Sequence, residues 1–540
     1  MNKIVNQGQL EAPTVDALVD LLNRSGVPTT DVTEIKGRAR TVAIESKLWG
    51  KAAAVASRHH VRWSAVWGEH RPPEIYVTAA LAGVNGHLLL RTTVPDVGGE
   101  LPSQTPYYPA ANRPERYLHD MFGVRRFTDQ PDVFLDERRW MRHQAWKADQ
   151  HPLLKSFPVA GKPLDETPPD CEYVFVPAEG EGVYEIPVGP VHAGIIEPGH
   201  FRFNAMGEDI LSLEQHLGYV HKGIEKLAEG RDVHGLARLA ARVSGDSTVA
   251  HSWAACQACE NAADVTVPKR GLAIRAILAE RERIANHLGD IGACCNDVGF
   301  PFALVQFGRL RELWQRQNAT VFGHRFMMDV VTPGGVTRDI SPEHVTLLRD
   351  GIAQLRRELD ELLPLLFEYP SLQDRLRTTG ILSLETARRI GAVGYVARAS
   401  GECWDLRRDA PYAPYDKVTV KVPHSVEGDV AGRVHVRGEE IYVSLDLLDS
   451  FLLQLPTGAI KTDFHPVKAA CSGIGLVEGW RGEIVSYVAL DAHGKVSRYF
   501  PRDPSWLTWP ALEALIGGVI VPDFPLCNKS VNGSYSGHDL

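Results

Sequence analysis

Glu280, Arg283 and His287 stand at i, i+3 and i+7 of a helix-favouring run, so their side chains leave one face of it. Ile277, Ile284 and Leu288 make much of the same helix apolar. A carboxylate, a guanidinium and an imidazole beside a packed face must be paired or neutralised, because an isolated buried charge costs several kcal/mol. Two chemistries fit the trio: a structural ion-pair network, or a proton path whose acid and base groups answer a redox event nearby. Spacing alone favours the network. His221 and Glu225 lie one turn apart behind Gly218 and Tyr219, and His192 follows Gly189-Pro190 on a turn, with His200 close behind. Each of these histidines suits a structural hydrogen bond as well as proton transfer.

The cysteines offer less. Cys256-Gln-Ala-Cys259 has metal-ligand spacing, but it sits in a helical run with no second pair at the spacing of a metal site, so a buried helical face is expected. Cys294 and Cys295 are adjacent, which disfavours joint binding of one ion. The glycines of the run from Gly473 to Gly479 miss the spacing of a dinucleotide fingerprint and lack a βαβ frame. No phosphate-binding loop and no nucleophile elbow occurs.

The elements that must position these groups divide the 540 residues into at least two domains. A helix over 15–22 and β-rich stretches at 61–66, 75–80 and 87–94 describe a small α/β domain, 1–158. The Pro-rich, charged stretch 159–170 reads as a linker. Beyond it, 171–540 should form a large, mainly helical domain, with helices over 211–229, 252–264, 269–294, 307–320, 342–366 and 383–390. A small β region is expected near its C-terminus, at 418–422 and 484–490. The fold class is therefore α+β. A formal charge of −9 argues against nucleic-acid binding, and eight cysteines in a chain of this length suggest reduced thiols rather than a disulfide scaffold. No apolar run reaches the roughly 18 to 20 residues that span a bilayer, and the N-terminus does not read as a secretory signal. Attachment to a membrane would come through a partner.

Longer motifs carry a resemblance. Pro114-Glu115-Arg116-Tyr-Leu-His-Asp120-Met121-Phe122-Gly123, followed by His151-Pro152-Leu-Leu-Lys155-Ser-Phe157-Pro158, resembles the signature of the smaller accessory (30 kDa-type) subunit of complex I. Leu154 departs from it, standing where that family usually has arginine. In the second domain come Gly189-Pro190-Val-His192, Gly218-Tyr219-Val-His221-Lys222-Gly223-Ile-Glu225-Lys226 and Glu280-Arg-Glu-Arg283-Ile-Ala-Asn286-His287. Then follow Pro333-Gly334-Gly335, Trp404-Asp405-Leu-Arg407-Arg408-Asp409-Ala-Pro411-Tyr412 and Arg481-Gly482-Glu483. In this order they are similar to the 49 kDa-type quinone-site subunit of complex I and to the related nickel–iron hydrogenase large subunit. Fusion of the two, smaller part first, resembles the large subunit of formate-hydrogenlyase-type complexes.

This resemblance implies an oxidoreductase subunit at the cytoplasmic face of the membrane, packed against a small subunit that carries a four-iron four-sulfur cluster and against antiporter-like membrane-arm subunits. Electrons would pass to quinone or another acceptor and be coupled to ion movement. His192, His221, Glu280, Arg283 and His287 become candidate catalytic groups. Hydrogenases of the superfamily hold nickel with two Cys-x-x-Cys pairs. The early pair aligns with Ser244-Gly-Asp246-Ser247 ahead of Val249-Ala250-His251, and the late pair aligns best with Cys527-Asn-Lys-Ser530. Serine hydroxyls stay protonated at neutral pH and are hard donors, so a nickel–iron centre is not expected, nor any other tightly bound group. Arg242 to Ser247 would border the acceptor site, with Arg242 where complex I uses a tyrosine. A hydrogen-activating enzyme and a non-catalytic coupling scaffold are the competing readings.

Overall fold

The computed structural model describes residues 12–143, 145–161, 173–192, 196–465 and 469–540. The described residues fold as two compact units. The first takes the stretch ending at Thr33, Arg38–Glu137 and Asp149–Phe157; the second takes Glu34–Gly37, Arg138–Ala148 and the chain beyond Pro158. Most of the expected linker 159–170 lies outside the described residues, as does Cys171.

In the first unit, helices α1 (Val15–Arg24) and α2 (Trp49–Arg58) accompany a five-stranded sheet. Its strands are β1 (Thr30–Val32), β2 (Ala39–Ala43), β3 (Arg62–Arg71), β4 (Glu74–Gly83) and β5 (Gly86–Pro95), in the order β1-β2-β5-β4-β3. Helix α3 (Asn112–Phe122) carries the first signature. Its Glu115 is buried and accepts from Gln104 N at 2.7 Å, Ser103 Oγ at 2.5 Å and Thr105 Oγ1 at 2.8 Å. The second signature closes on the first: His151 Nδ1 lies 3.0 Å from the Asp120 carbonyl, and Leu153 N donates to the Met121 carbonyl at 3.0 Å.

The second unit opens with an antiparallel sheet of β6 (Val183–Val188), β7 (His200–Met206) and β8 (Asp209–His216). Here the structure corrects the expectation of a helix over 211–229. Residues 209–216 pair with β7 from His200↔His216 to Met206↔Asp209, and only Ile224–Ala228 is helical. Hairpin pairing overrides a helical reading of Ile210, Leu211 and Leu213, and Gly218, at φ +106°, turns the chain between the two elements. The helical core follows: α4 (Val233–Ala240), α5 (Thr248–Ala262), α6 (Lys269–Asp297), α7 (Pro301–Phe322), α8 (Pro342–Glu368) and α9 (Val430–Leu453). Residues 418–422, expected as a strand, form no ladder, and α9 was not foreseen.

The C-terminal sheet contains β9 (Cys471–Gly479), β10 (Gly482–Leu490) and β11 (Val496–Arg502), with Ile35–Lys36 added in parallel beside β9. Gly473 and Gly475 explain the apparent nucleotide motif, for a Cβ on either would collide with the carbonyls of Ala258 and Ala254 in α5. The glycines let a helix lie directly on a strand. Helices α10 (Ser505–Leu515), α11 (Phe524–Val531) and α12 (Tyr535–Asp539) end the chain. Among the described residues no helix is long and apolar enough to cross a membrane.

Candidate functional site

Helix α6 is rich in Ala, Leu, Ile, Arg and Glu, and buries all its faces through the middle, so its charged residues must find partners inside. Glu280 accepts from Arg407 NH1 (2.9 and 3.0 Å), Tyr415 OH (2.5 Å), Ser444 Oγ (2.6 Å) and Arg283 Nε (3.3 Å). Burial by itself would raise this carboxyl, but Arg407 and Arg283 outweigh it and hold it below the usual carboxylate range. Arg283 donates to the carbonyls of Gly479 and Glu478 at 3.1 and 3.0 Å. His287 Nε2 meets Glu440 Oε2 at 2.8 Å, and burial depresses the imidazole pKa despite that carboxylate. Arg398 joins Glu440 (2.7 Å), Glu478 (3.2 Å) and Asp405 (3.3 Å), while Arg407 also grips Asp405 at 2.7 Å. The three α6 residues therefore belong to one buried cluster. Its members Arg398, Glu440 and Glu478 escaped the sequence reading because they come from elements far apart in the chain. Asp405 and Arg407 stood in a quoted motif, but with no sign of which helix they would meet.

The loop between α4 and α5 carries the second constellation. Arg481, on the β9–β10 turn, forks onto Asp246, NH1 to Oδ1 at 2.7 Å and NH2 to Oδ2 at 2.6 Å. Burial pushes the Asp246 carboxyl up, yet Arg481 wins and keeps it ionised. Ser244 Oγ donates to Asp246 Oδ1 at 2.7 Å, so with its one proton engaged it accepts from Ser534 Oγ at 2.8 Å. Ser247 Oγ lies 3.3 Å from Asp246 Oδ1. Trp480 links the two constellations: its Nε1 donates to the Asp246 carbonyl at 2.9 Å, and its ring meets that of His287 at 5.9 Å, nearly perpendicular.

This geometry corrects the late pair. Ser534, not Cys527 or Ser530, faces Ser244, and Ser534-Tyr-Ser-Gly537 has the same two-residue spacing. A Cβ on Gly537 would come within 2.5 Å of the Asp503 carboxyl, so a side chain there would require Asp503 to move. Cys527 and Ser530 lie on α11 beside Arg433, whose Nε donates to Ser530 Oγ at 2.9 Å. Burial raises the Cys527 thiol to about 12, so it stays protonated. The thiol at Cys527 mimics the late motif seven residues ahead of Ser534, the residue that faces Ser244.

The remaining candidates are placed apart. Arg242 pairs with Asp329 at 2.6 and 2.8 Å, half exposed. His221 Nδ1 donates to the Asp539 carbonyl at 2.6 Å, and burial holds the ring neutral. His192 is half-buried and reaches Tyr535 OH at 3.5 Å, next to Ser534; His200 is buried on β7, its pKa lowered by burial and then by Arg202. Cys256 and Cys259 are buried in α5, their thiols pushed up by burial. Among the described residues no group of three or more His, Cys, Asp or Glu could hold a metal ion.

Fused accessory and helical parts in one chain, with a charge-filled helical core, define the large hydrophilic subunit of a redox complex. Family models agree: respiratory-chain NADH dehydrogenase 30 Kd subunit over residues 42–163, the 49 Kd subunit over 297–474, and nickel-dependent hydrogenase over 222–289. Formate hydrogenlyase subunit 5 of Escherichia coli K12 is 34% identical over 466 residues, 85% of this chain and 80% of that protein. The fused C/D-type polypeptide of the NADH-quinone oxidoreductase of Phocaeicola vulgatus is 33% identical over 406 residues, 72% and 77% of the two chains. A chain in the structure of the membrane-bound sulfane sulfur reductase, an archaeal respiratory membrane complex, superposes with TM-score 0.63 at 26% identity, over 67% of this chain and 99% of that one. The chain belongs to the oxidoreductase family of fused complex I 30 kDa-type and 49 kDa-type large subunits that includes formate hydrogenlyase subunit 5.

Proposed function

We propose that this chain is the large subunit of a membrane-associated, complex-I-like oxidoreductase that passes electrons to quinone or another acceptor rather than activating hydrogen. In this reading the electrons come from a four-iron four-sulfur cluster in a partner small subunit, and their transfer is coupled to ion movement through membrane-arm subunits. The chain sits peripherally at the cytoplasmic face, held by those partners. The observation that carries the reading is the Ser244–Asp246–Arg481–Ser534 cluster, where a hydrogenase would need four thiolates. Nickel does not fit it: Ser244, Ser247 and Ser534 are hard, protonated donors, and Gly537 supplies no donor at all. Arg481 and the hydroxyls are bonded to Asp246 and to one another, so an oxygen- or sulfur-bearing acceptor would bind by exchanging with hydrogen bonds of this network. The structural relative, described as a sulfane sulfur reductase, is a precedent for an acceptor other than protons.

The test is co-expression with the proposed iron–sulfur small subunit and assay of acceptor reduction in membranes. Quinone or sulfane sulfur reduction is expected, and Arg481→Lys should lower it by at least about tenfold, since lysine cannot reproduce the bidentate fork. A stable complex that reduces neither acceptor would favour the non-catalytic scaffold. Hydrogen uptake would revive the hydrogenase.

A further inference from the structure

Four buried carboxyl groups of the α6 cluster, Glu280, Asp405, Glu440 and Glu478, face three guanidinium groups, Arg283, Arg398 and Arg407, and each of the seven residues is 2% exposed or less. The neighbouring Arg437 does not redress the balance, because Asp290 pairs with it at 3.3 Å. The other titratable groups against the cluster are Tyr412, Tyr415 and Tyr395, whose pKa values burial raises, and Glu282 beside Arg283, which burial raises to about 8 while it accepts from the N–H groups of Val249 and Ala250; none adds a charge at neutral pH. One carboxyl group is thus in excess, and an unbalanced charge in such surroundings is strongly unfavourable. The contacts show which one. Glu280 and Glu440 each take two cations, and Asp405 takes a bidentate pair from Arg407. Glu478 has a single 3.2 Å contact, to an Arg398 nitrogen that it shares with Asp405, plus the backbone N–H of Leu406 at 3.2 Å. His287 is the cluster's one further proton acceptor. Its Nε2 engages Glu440, and its Nδ1 has no hydrogen-bond partner among the described residues.

We infer that this cluster holds one exchangeable proton, seated on Glu478 while His287 is neutral, and that protonation of His287 at Nδ1 drives it off. The balance is one for one. A proton binds His287 Nδ1, the cluster gains a positive charge, and the Glu478 O–H bond breaks to leave a carboxylate facing Arg398 and a proton released to water. Arg398 couples the two positions because it touches both Glu478 and Glu440, the partner of His287. The pKa directions agree. Burial, then the Asp405 carboxylate, raises Glu478; burial depresses His287; and Asp405, which burial alone would raise, is held down by Arg407 and Arg398. His287 is the entry side, since its ring abuts Trp480, whose indole holds the Ser244–Ser247 loop. The inference rests on charge and contact within one unit and holds whichever acceptor the complex uses.

Infrared difference spectroscopy on the purified full-length chain tests it. At neutral pH, wild type minus Glu478→Gln should show the carbonyl band of one un-ionised carboxyl group. Glu280→Gln, by removing one negative charge, should force Glu478 to ionise and abolish that band. Thermal melts give an independent reading. Glu478→Gln should move the midpoint by no more than about 2 °C, because a neutral amide replaces a neutral acid. The double variant Glu280→Gln/Glu478→Gln can no longer rebalance, and should lose roughly 4 to 6 °C beyond the sum of the two single shifts. A null difference spectrum, or strictly additive midpoints, would overturn the inference.

Discussion

A hydroxyl and a thiolate occupy similar space but do opposite things at neutral pH. The hydroxyl keeps its proton and organises hydrogen bonds; the thiolate gives up its proton and binds soft metal. In this chain Ser244 and Ser534 meet at 2.8 Å, a hydrogen bond that stitches the loop before α5 to the start of α12. At the same scale Glu280 is held as an anion by four side chains. Glu280→Gln is expected to cost about 1.5 to 3 kcal/mol, the value of charge-assisted hydrogen bonds. The full penalty for a stranded buried charge, about 3 to 5 kcal/mol, is avoided because Glu478 can ionise in compensation. Urea titration of the single variant measures this. His221 supplies a pH test. Its folded pKa is depressed by burial, so the unfolded chain takes up a proton first as pH falls below about 6.5. Stability contributed by the neutral ring is complete above that pH and is lost below it, by up to about 1.4 kcal/mol per pH unit. The stability gap between wild type and His221→Gln should therefore narrow between pH 7.5 and 5.5 in urea melts.

At the scale of elements, α5 shows how the core and the site are built together. It lies on β9 through Gly473 and Gly475, and its N-terminus begins right after the Ser244–Ser247 loop. No side chain of its own caps that end. Glu282 of α6 does so instead, accepting from Val249 N at 2.7 Å and Ala250 N at 3.1 Å. Glu282→Ala should cost about 1 to 3 kcal/mol, as two buried N–H groups lose their acceptor. Amide hydrogen exchange at Val249 and Ala250 should accelerate while the amides of β9 and β10 stay protected. Unchanged exchange at those two positions would show that water or another group caps the helix.

At the scale of the whole molecule, membership in a family with nickel-dependent relatives meets a chain without the thiolates that nickel needs. Metal analysis of the purified complex should find nickel far below one per chain. About one nickel per chain, with hydrogen uptake, would contradict the donor chemistry argued above. Phe302, Val305 and Leu365 are 45%, 64% and 53% exposed on the α7 and α8 surface, more apolar exposure than a lone subunit needs. Expressed alone, the chain should be soluble but prone to association, and co-expression with the other subunits of its complex should suppress this in size-exclusion chromatography.

Residue types, spacing and ordered motifs were enough to identify the superfamily, the α+β class and the helical face of Glu280, Arg283 and His287. All of these are local in sequence: a helix repeats every 3.6 residues, and a motif is read in order. The tertiary structure alone decided which distant groups meet. Nothing near residue 244 announces that Ser534 lies opposite, and a surviving sulfur at Cys527 pointed to the wrong register. Strand β8 could not be told from helix by Ile210, Leu211 and Leu213, because its partner β7 supplies the deciding hydrogen bonds. Likewise the excess carboxyl group is invisible along the chain. It exists only where α6, α9, β9 and the segment around Asp405 bring seven charged side chains into a volume too dry to leave one unbalanced.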